Sequence, residues 1–227
     1  MFTTMLATES DAPTLASLMT AAFSACDDAY PLIYASTQPG THDNLALQWL
    51  FSPVQRADRT TFKAVNDETG KVVGFASWSI PAGKAVPAEL EEKEDGGSGG
   101  GNLPEIPGMN MALWVEKISG PRDPPSLALS DPEASNTAED IGLSFFFVHP
   151  DYHRQGIGSL LLEWGIEEAD KRGVKVWLTS TPQAIGVYQK KGWEIVNEHK
   201  VDLGKHGGST IYKRARMVRR PKKKISL

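Results

Sequence analysis

The stretch IGLSFFFVHPDYHRQGIGSLL, residues 141–161, decides how the rest of the chain reads. Its opening run, Ile141 to Val148, is almost unbroken apolar sequence, which predicts a strand buried on both faces. A short loop follows, from His149 to Gln155, and it is rich in nitrogen donors. Gly156-Ile157-Gly158 then opens a helix predicted over Gly156 to Arg172, with Leu160, Leu161, Trp164, Ile166 and Ala169 on its buried side and Gly173 as its stop. The first backbone N–H groups of a helix have no partner within it, and the helix dipole adds partial positive charge there. Glycine lets a ligand come close to the backbone. Arg154 adds a full positive charge, and the Ser159 hydroxyl either caps the first turn or donates to a phosphate oxygen. Together these parts form a cradle for a pyrophosphate. The plainer alternative is that two glycines only permit a tight strand-to-helix turn. No Gly-Lys-Ser/Thr follows, which excludes a nucleotide P-loop, and a third glycine is absent, which excludes a dinucleotide fingerprint.

Upstream, Thr4 to Ala7 reads as a short strand. A helix follows, N-capped by Asp11 with Pro13 in its first turn, and Leu15, Leu18, Met19, Ala22 and Phe23 carry it to about Ser24. A second helix is expected over Asp43 to Phe51. Thr61–Val65 and Val72–Ile80 form a strand pair around the polar turn Asn66 to Gly70. Downstream, Val174–Thr179 is the next strand, Pro182 opens a helix ending near Gly192, and Trp193–Val196 and Thr210–Val218 complete a sheet. The segment 82–140 reads as an insertion. Glu89 to Asp95 is nearly all charge and Gly96 to Gly101 is glycine broken only by Ser98, so a mobile loop is expected there. A second polar stretch runs from Pro121 to Asp140, and Met109 to Ile118 reads as a short helix between the two.

The 227 residues, 40% hydrophobic and 23% charged, suit one globular domain over 1–218 and a basic tail over 219–227. Cys26 is the single cysteine, so no intramolecular disulfide forms, and a reducing, cytoplasmic setting is expected. No apolar run is long enough to cross a bilayer, and the N-terminus lacks the basic and apolar regions of a secretory signal. The net charge is −4, yet Lys213 to Lys224 holds eight basic residues and no acid. The remainder is therefore acidic, which disfavours general nucleic-acid binding. The tail reads as a solvated end, or at most as a nuclear address.

Phe146 to Leu161, with Arg154-Gln155-Gly156-Ile157-Gly158 at its centre, resembles the acyl-CoA-binding motif of the GNAT superfamily of N-acetyltransferases. His153 stands where that pattern has Gln or Arg. The likeness continues through Trp164-Gly165, Ala169-Asp170 and Tyr188-Gln189-Lys190-Lys191-Gly192-Trp193. Asp11 to Phe23, the Val72–Ile80 strand and Pro107 to Asn110 resemble fungal-type members with a long central insertion. The resemblance implies a three-layer α/β/α fold of the α+β class, with a central, mixed, mostly antiparallel splayed sheet. The strands 141–148 and 174–179 would part near their ends, and the pantothenate arm of acetyl-CoA would lie between them against the main chain near Val148.

That likeness implies acyl-CoA contacts from Phe147, Val148, His153, Arg154, Gln155, Gly156, Ile157, Gly158 and Ser159. It puts Tyr188 where many members place the acid that protonates the departing thiolate; packing in the core is the alternative role for that ring. The positions matching a side-chain base are Gly142 and Ser144, neither of which can serve. Glu139 and Asp140 precede the strand, and His149 and His153 flank the phosphate loop, so proton removal by a water chain is the preferred reading. The implied reaction moves an acetyl group from acetyl-CoA, without a metal, to a primary amine of a small molecule or peptide. The competing reading is an acyl-CoA-binding regulatory or scaffold protein with weak turnover. The sequence selects neither the amine nor an oligomeric state.

Overall fold

The computed structural model describes residues 1–81, 105–119 and 137–222. Its strands are β1 (Phe2–Leu6), β2 (Arg59–Asn66), β3 (Val72–Ser79), β4 (Ile141–Val148), β5 (Val176–Ser180), β6 (Glu194–Asp202) and β7 (Ile211–Arg219). They form one sheet in the order β1-β2-β3-β4-β5-β7-β6. Every neighbouring pair is antiparallel except β4 and β5. The helices are α1 (Ala12–Cys26), α2 (Tyr30–Tyr34), α3 (Thr41–Trp49), α4 (Met111–Ser119), α5 (Ile157–Arg172) and α6 (Ile185–Gln189).

The helices lie on both faces, giving three layers. On one face α5 packs Ile157, Leu161, Leu162 and Ala169 against Ile141, Trp78 and Val176. Trp78 is fully buried there, and a Cβ on Gly165 would sit 2.4 Å from its ring, so a bare α-carbon is what lets α5 lie close to the sheet. An aromatic ring removes ~150–250 Å² from water, worth about 4–6 kcal/mol at ~25 cal/mol per Å². On the opposite face α1 and α3 pack Leu15, Met19 and Ala46 with Phe75. Beside them α2 and α4 set Ile33 and Leu113 against Val201 and Tyr212.

Between β4 and β5 the sheet opens. Only Ile141↔Val176 and Gly142↔Trp177 pair, so from Leu143 onward the β5-facing edge of β4 has no strand against it. Asp140 holds the closed end. Its carboxylate accepts from the Lys175 N–H at 3.0 Å, the Trp177 indole N–H at 3.0 Å and the Thr137 N–H at 2.9 Å. The splayed, mostly antiparallel sheet expected from the sequence is therefore present, with Asp140 as its hinge pin.

Several local expectations are corrected. Asp11 does not cap α1 with its side chain; its carboxylate accepts from the Thr8 N–H at 2.7 Å and pairs with Lys63 at 2.6 Å. Helix α2 was not expected, because five residues show too little periodicity to be read. β6 runs far beyond Val196, because it is the outer strand and its polar residues Asn197 to Lys200 mask the alternation. The segment after Pro182 is a 3-10 turn over Pro182–Ala184 followed by the short α6. Arg219, assigned to the tail by composition, closes β7 instead. Its guanidinium makes two 2.8 Å bonds to Asp170 on α5 and is 3% exposed. The Glu89–Gly101 loop, the polar stretch over 121–136 and residues 223–227 lie outside the described residues.

Candidate functional site

The loop after β4 is tied at its base and open at its tip. The His149 N–H donates to the Val73 carbonyl at 2.8 Å, which continues the β3 pairing by one bond. Tyr152 and His153 then bond back to His149 and Pro150 in a single 3-10 turn. The His153 Nε2–H donates to the Val148 carbonyl at 2.9 Å, which puts the ring proton on Nε2. Arg154 (φ 63°) and Gly156 (φ 83°) lie in the left-handed region, and Arg154 is the non-glycine residue that does so among the described residues. Left-handed residues in such a turn bring successive N–H groups to one side of the chain and make a concavity for an anion. Among the described residues, no backbone acceptor meets the N–H groups of Arg154 to Ser159; the first is the Leu160 N–H, bonded to the Gly156 carbonyl at 3.1 Å.

The two glycines serve different needs. A Cβ on Gly156 would meet nothing within 4 Å, so its backbone angle is what requires glycine. A Cβ on Gly158 would lie 3.1 Å from the Phe146 ring, so close packing is what requires glycine there. Ser159 makes no cap; Gly156 occupies the cap position and no side chain bonds the first turn.

A cavity of about 750 Å³ starts at this loop and passes through the opening in the sheet. Tyr152, His153, Arg154, Gly156, Ile157, Gly158 and Ser159 line its first end, with Lys190 and Lys191 also on the wall. The free edge of β4, from Leu143 to Val148, and Leu178, Thr179 and Thr181 across the gap form its middle. Tyr188 reaches this part from α6. It is 5% exposed, with its ring 5.7 Å from Phe146 and 5.8 Å from Trp193. Burial pushes the Tyr188 hydroxyl above the usual phenol range, so it stays protonated at neutral pH.

The far end of the cavity lies on the α1 face. Phe23, Cys26 and Asp27 from the end of α1, Lys117 and Ile118 from α4, and Arg214 from β7 line it. Asp27 is fully occupied. One oxygen accepts from the N–H groups of Ala29 and Tyr30, at 3.0 and 3.1 Å. The other accepts from Lys117 Nζ at 2.8 Å and from the Tyr212 hydroxyl at 2.6 Å. Lys117 Nζ also lies 5.1 Å from the Phe23 ring and 5.0 Å from the Tyr212 ring. Burial pulls the Lys117 pKa down while Asp27 pushes it up. Arg214 donates from Nη1 to the Lys117 carbonyl at 3.0 Å.

Residues 128–195, which hold β4, the loop, α5, β5 and α6, match the family model for the acetyltransferase (GNAT) domain. The chain resembles that family over this segment. It is similar to a mycothiol acetyltransferase of Nocardiopsis dassonvillei, 43% identical over 58 residues, which is 25% of this chain and 18% of that protein. It is similar also to the ribosomal protein bS18-alanine N-acetyltransferase of Escherichia coli, 48% identical over 50 residues, 20% of this chain and 34% of that protein. The matches thus span 18% and 34% of these curated relatives. The crystal structure of the Escherichia coli enzyme superimposes with a TM-score of 0.52 at 17% identity, covering 100% of this chain and 99% of that one. A histone acetyltransferase HPA2-related structure from Corynebacterium glutamicum gives 0.55 at 18% identity, covering 99% of each. These two establish the fold.

Of the residues expected at the GNAT site, Phe147, Val148, His153, Arg154, Gly156, Ile157, Gly158, Ser159 and Tyr188 all line the cavity. Gln155 does not; it is exposed, and its amide donates to the Asp151 carbonyl at 3.4 Å. Ser144 is on the wall and shares a 2.5 Å hydrogen bond with Ser79, whereas Gly142, Glu139, Asp140 and His149 are off it. Sequence reading missed Asp27, Lys117 and Arg214. Nothing local marks them, because their pairing joins segments far apart in the chain. Among the described residues, no group of three or more His, Cys, Asp or Glu side chains could hold a metal ion, and no helix is long and apolar enough to cross a membrane.

Proposed function

We propose that this chain transfers an acetyl group from acetyl-CoA to a primary amine of a small molecule or peptide. The observation that carries the reading is the continuous cavity, which joins the unbonded N–H groups of the Arg154–Ser159 turn to the Tyr188 side chain. The pyrophosphate sits on those N–H groups, with Arg154 adding charge. The pantothenate arm runs through the opening beside the free edge of β4. His153 already donates to the Val148 carbonyl, so the arm uses other main-chain groups of that edge. The neutral amine attacks the thioester carbonyl carbon, the C–S bond breaks, the thiolate takes the Tyr188 proton, and the amine proton leaves to water. A side-chain base is not needed in this reading. Asp27, the carboxylate on the wall among the described residues, already accepts four hydrogen bonds. The two curated relatives are named as a mycothiol acetyltransferase and a ribosomal protein bS18-alanine N-acetyltransferase, which supports the acetyl donor and leaves the acceptor open.

The test is release of free CoA thiol from acetyl-CoA in the presence of an amine panel, with Tyr188→Phe beside the wild type. The variant keeps the ring, so melting temperature and acetyl-CoA affinity should hold while turnover falls ~10²-fold, the scale for losing one general acid. The loss should shrink with an acyl donor whose thiol leaves more easily. Full turnover in the variant removes the acid role. Acetyl-CoA binding without thiol release for any amine favours the regulatory reading.

A further inference from the structure

The far end of the cavity holds a cation without a counter-charge. Asp27 neutralises Lys117, and with the Tyr212 hydroxyl and two N–H groups its acceptor sites are filled. Arg214 lines the same wall, half-buried, and no carboxylate among the described residues forms an ion pair with it. Its Nη1 bonds a neutral carbonyl and its Nε is buried without a partner. Removing a guanidinium from water is costly unless an anion accompanies it.

Its position separates it from the cofactor's phosphates. Along β7, Ala215 and Met217 face the layer of α5 and α6. Tyr212 and Arg214 face the other way, toward Asp27 and Lys117 on the α1 side. The phosphate-binding turn opens α5, in the opposite layer. Arg214 is therefore across the sheet from the turn proposed for the donor phosphates, at the opposite end of the cavity. Local positive charge from Arg214 also disfavours a cationic ammonium, which helps an amine reach its neutral, attacking form.

We infer that the acceptor carries an anionic group on the same molecule as its amine, and that Arg214 is the residue that binds it. This rests on the acetyl-transfer reading and narrows its substrate class. The ligand is an amino acid, a peptide with a free carboxylate near its amine, or an amine bearing a phosphate; the shared chemistry is an oxyanion on a guanidinium.

The test compares matched probes on the full chain: free amino acids, the same amino acids as amides, and phosphoethanolamine with ethanolamine. With acetyl-CoA, kcat/KM read by thiol release should favour the anionic member of a pair by ~10–100-fold, the scale of a charge-assisted hydrogen bond in a desolvated site. The carboxylate and phosphate arms show which oxyanion is meant. Arg214→Gln should bring that ratio to within about threefold, and Arg214→Lys should keep part of it. The acetyl-CoA thermal shift should be unchanged in both. A purely structural role would lower all probes alike and leave the ratio intact, which overturns the assignment. So would a lost acetyl-CoA shift in Arg214→Gln, because the guanidinium would then serve the donor. A second readout stands apart from turnover: CoA-loaded protein titrated with N-acetylated amino acids and their amides. Preferential stabilisation by the acids, without thiol release, keeps the anion site and sinks the transfer reading. No preference in either assay sinks the anion site and leaves the transfer reading standing.

Discussion

The end of the cavity proposed for the donor is lined by one continuous segment, 152–159, while the end proposed for the acceptor is built from side chains brought together across the fold. In the first, the ligand groups are amides whose direction follows from two left-handed residues and a helix start. In the second, Asp27 meets a lysine 90 residues away and a tyrosine 185 residues away, and that lysine's carbonyl meets Arg214, 97 residues on. A main-chain site tolerates changes in most of its side chains and depends on a few glycines. A side-chain site depends on the exact charge of each member.

The largest effect should come from breaking the acceptor end. Asp27→Asn keeps the shape and an acceptor for the Ala29 and Tyr30 N–H groups but leaves Lys117 buried without its counter-ion. Removing one partner of a buried pair costs about 3–5 kcal/mol. Denaturant unfolding should show that loss, and adding Lys117→Met should recover a large part of it. Equal stability of Asp27→Asn and wild type would mean that water reaches the pair, and that the acceptor end is far less buried than its 5% exposures for Asp27 and Lys117 state.

The same contrast explains what could be read from the sequence. The apolar run to Val148, the donor-rich loop and Gly156-Ile157-Gly158 are contiguous, so strand, turn and helix follow from local rules. The splay between β4 and β5 came from family likeness rather than from periodicity. Its hinge, Asp140, looked like a candidate near the base position and is instead committed to Lys175 and Trp177. Arg219 shows the limit of composition: among basic neighbours it looked like tail, yet Asp170 on α5 gives it a buried place. Asp27, Lys117 and Arg214 were illegible because each is an ordinary surface residue type until the fold pairs it.

The next effect sharpens the donor end. Acetyl-CoA at a hundredfold excess over its Kd should stabilise the wild type by about 2.7 kcal/mol. Gly158→Glu places a negative charge in the phosphate cradle and pushes against the Phe146 ring, 3.1 Å from where its Cβ begins. Gly156→Pro demands a negative φ where the chain has 83°. Both should remove the ligand-dependent shift in melting temperature. If both variants fold and keep it, the pyrophosphate binds elsewhere and the contrast between the two ends collapses.

The smallest expected effect is the most discriminating for a main-chain site. Gln155 lies inside the motif, between the left-handed Arg154 and Gly156, and family likeness gives it a place among the cofactor contacts. Its side chain is nevertheless exposed, off the cavity wall, and bonded at 3.4 Å to the Asp151 carbonyl within its own loop. A bond that long at an exposed position contributes little. What Gln155 would offer a phosphate in the proposed site is its N–H, which has no backbone acceptor and which any non-proline residue would supply. Gln155→Ala should therefore change acetyl-CoA affinity by less than about twofold and stability by at most about 0.5 kcal/mol, as for other surface substitutions. Calorimetric titration of the variant with acetyl-CoA reads the difference directly. A tenfold loss would mean that the side chain swings onto the phosphates when the cofactor arrives, making the donor end a side-chain site like its counterpart across the sheet.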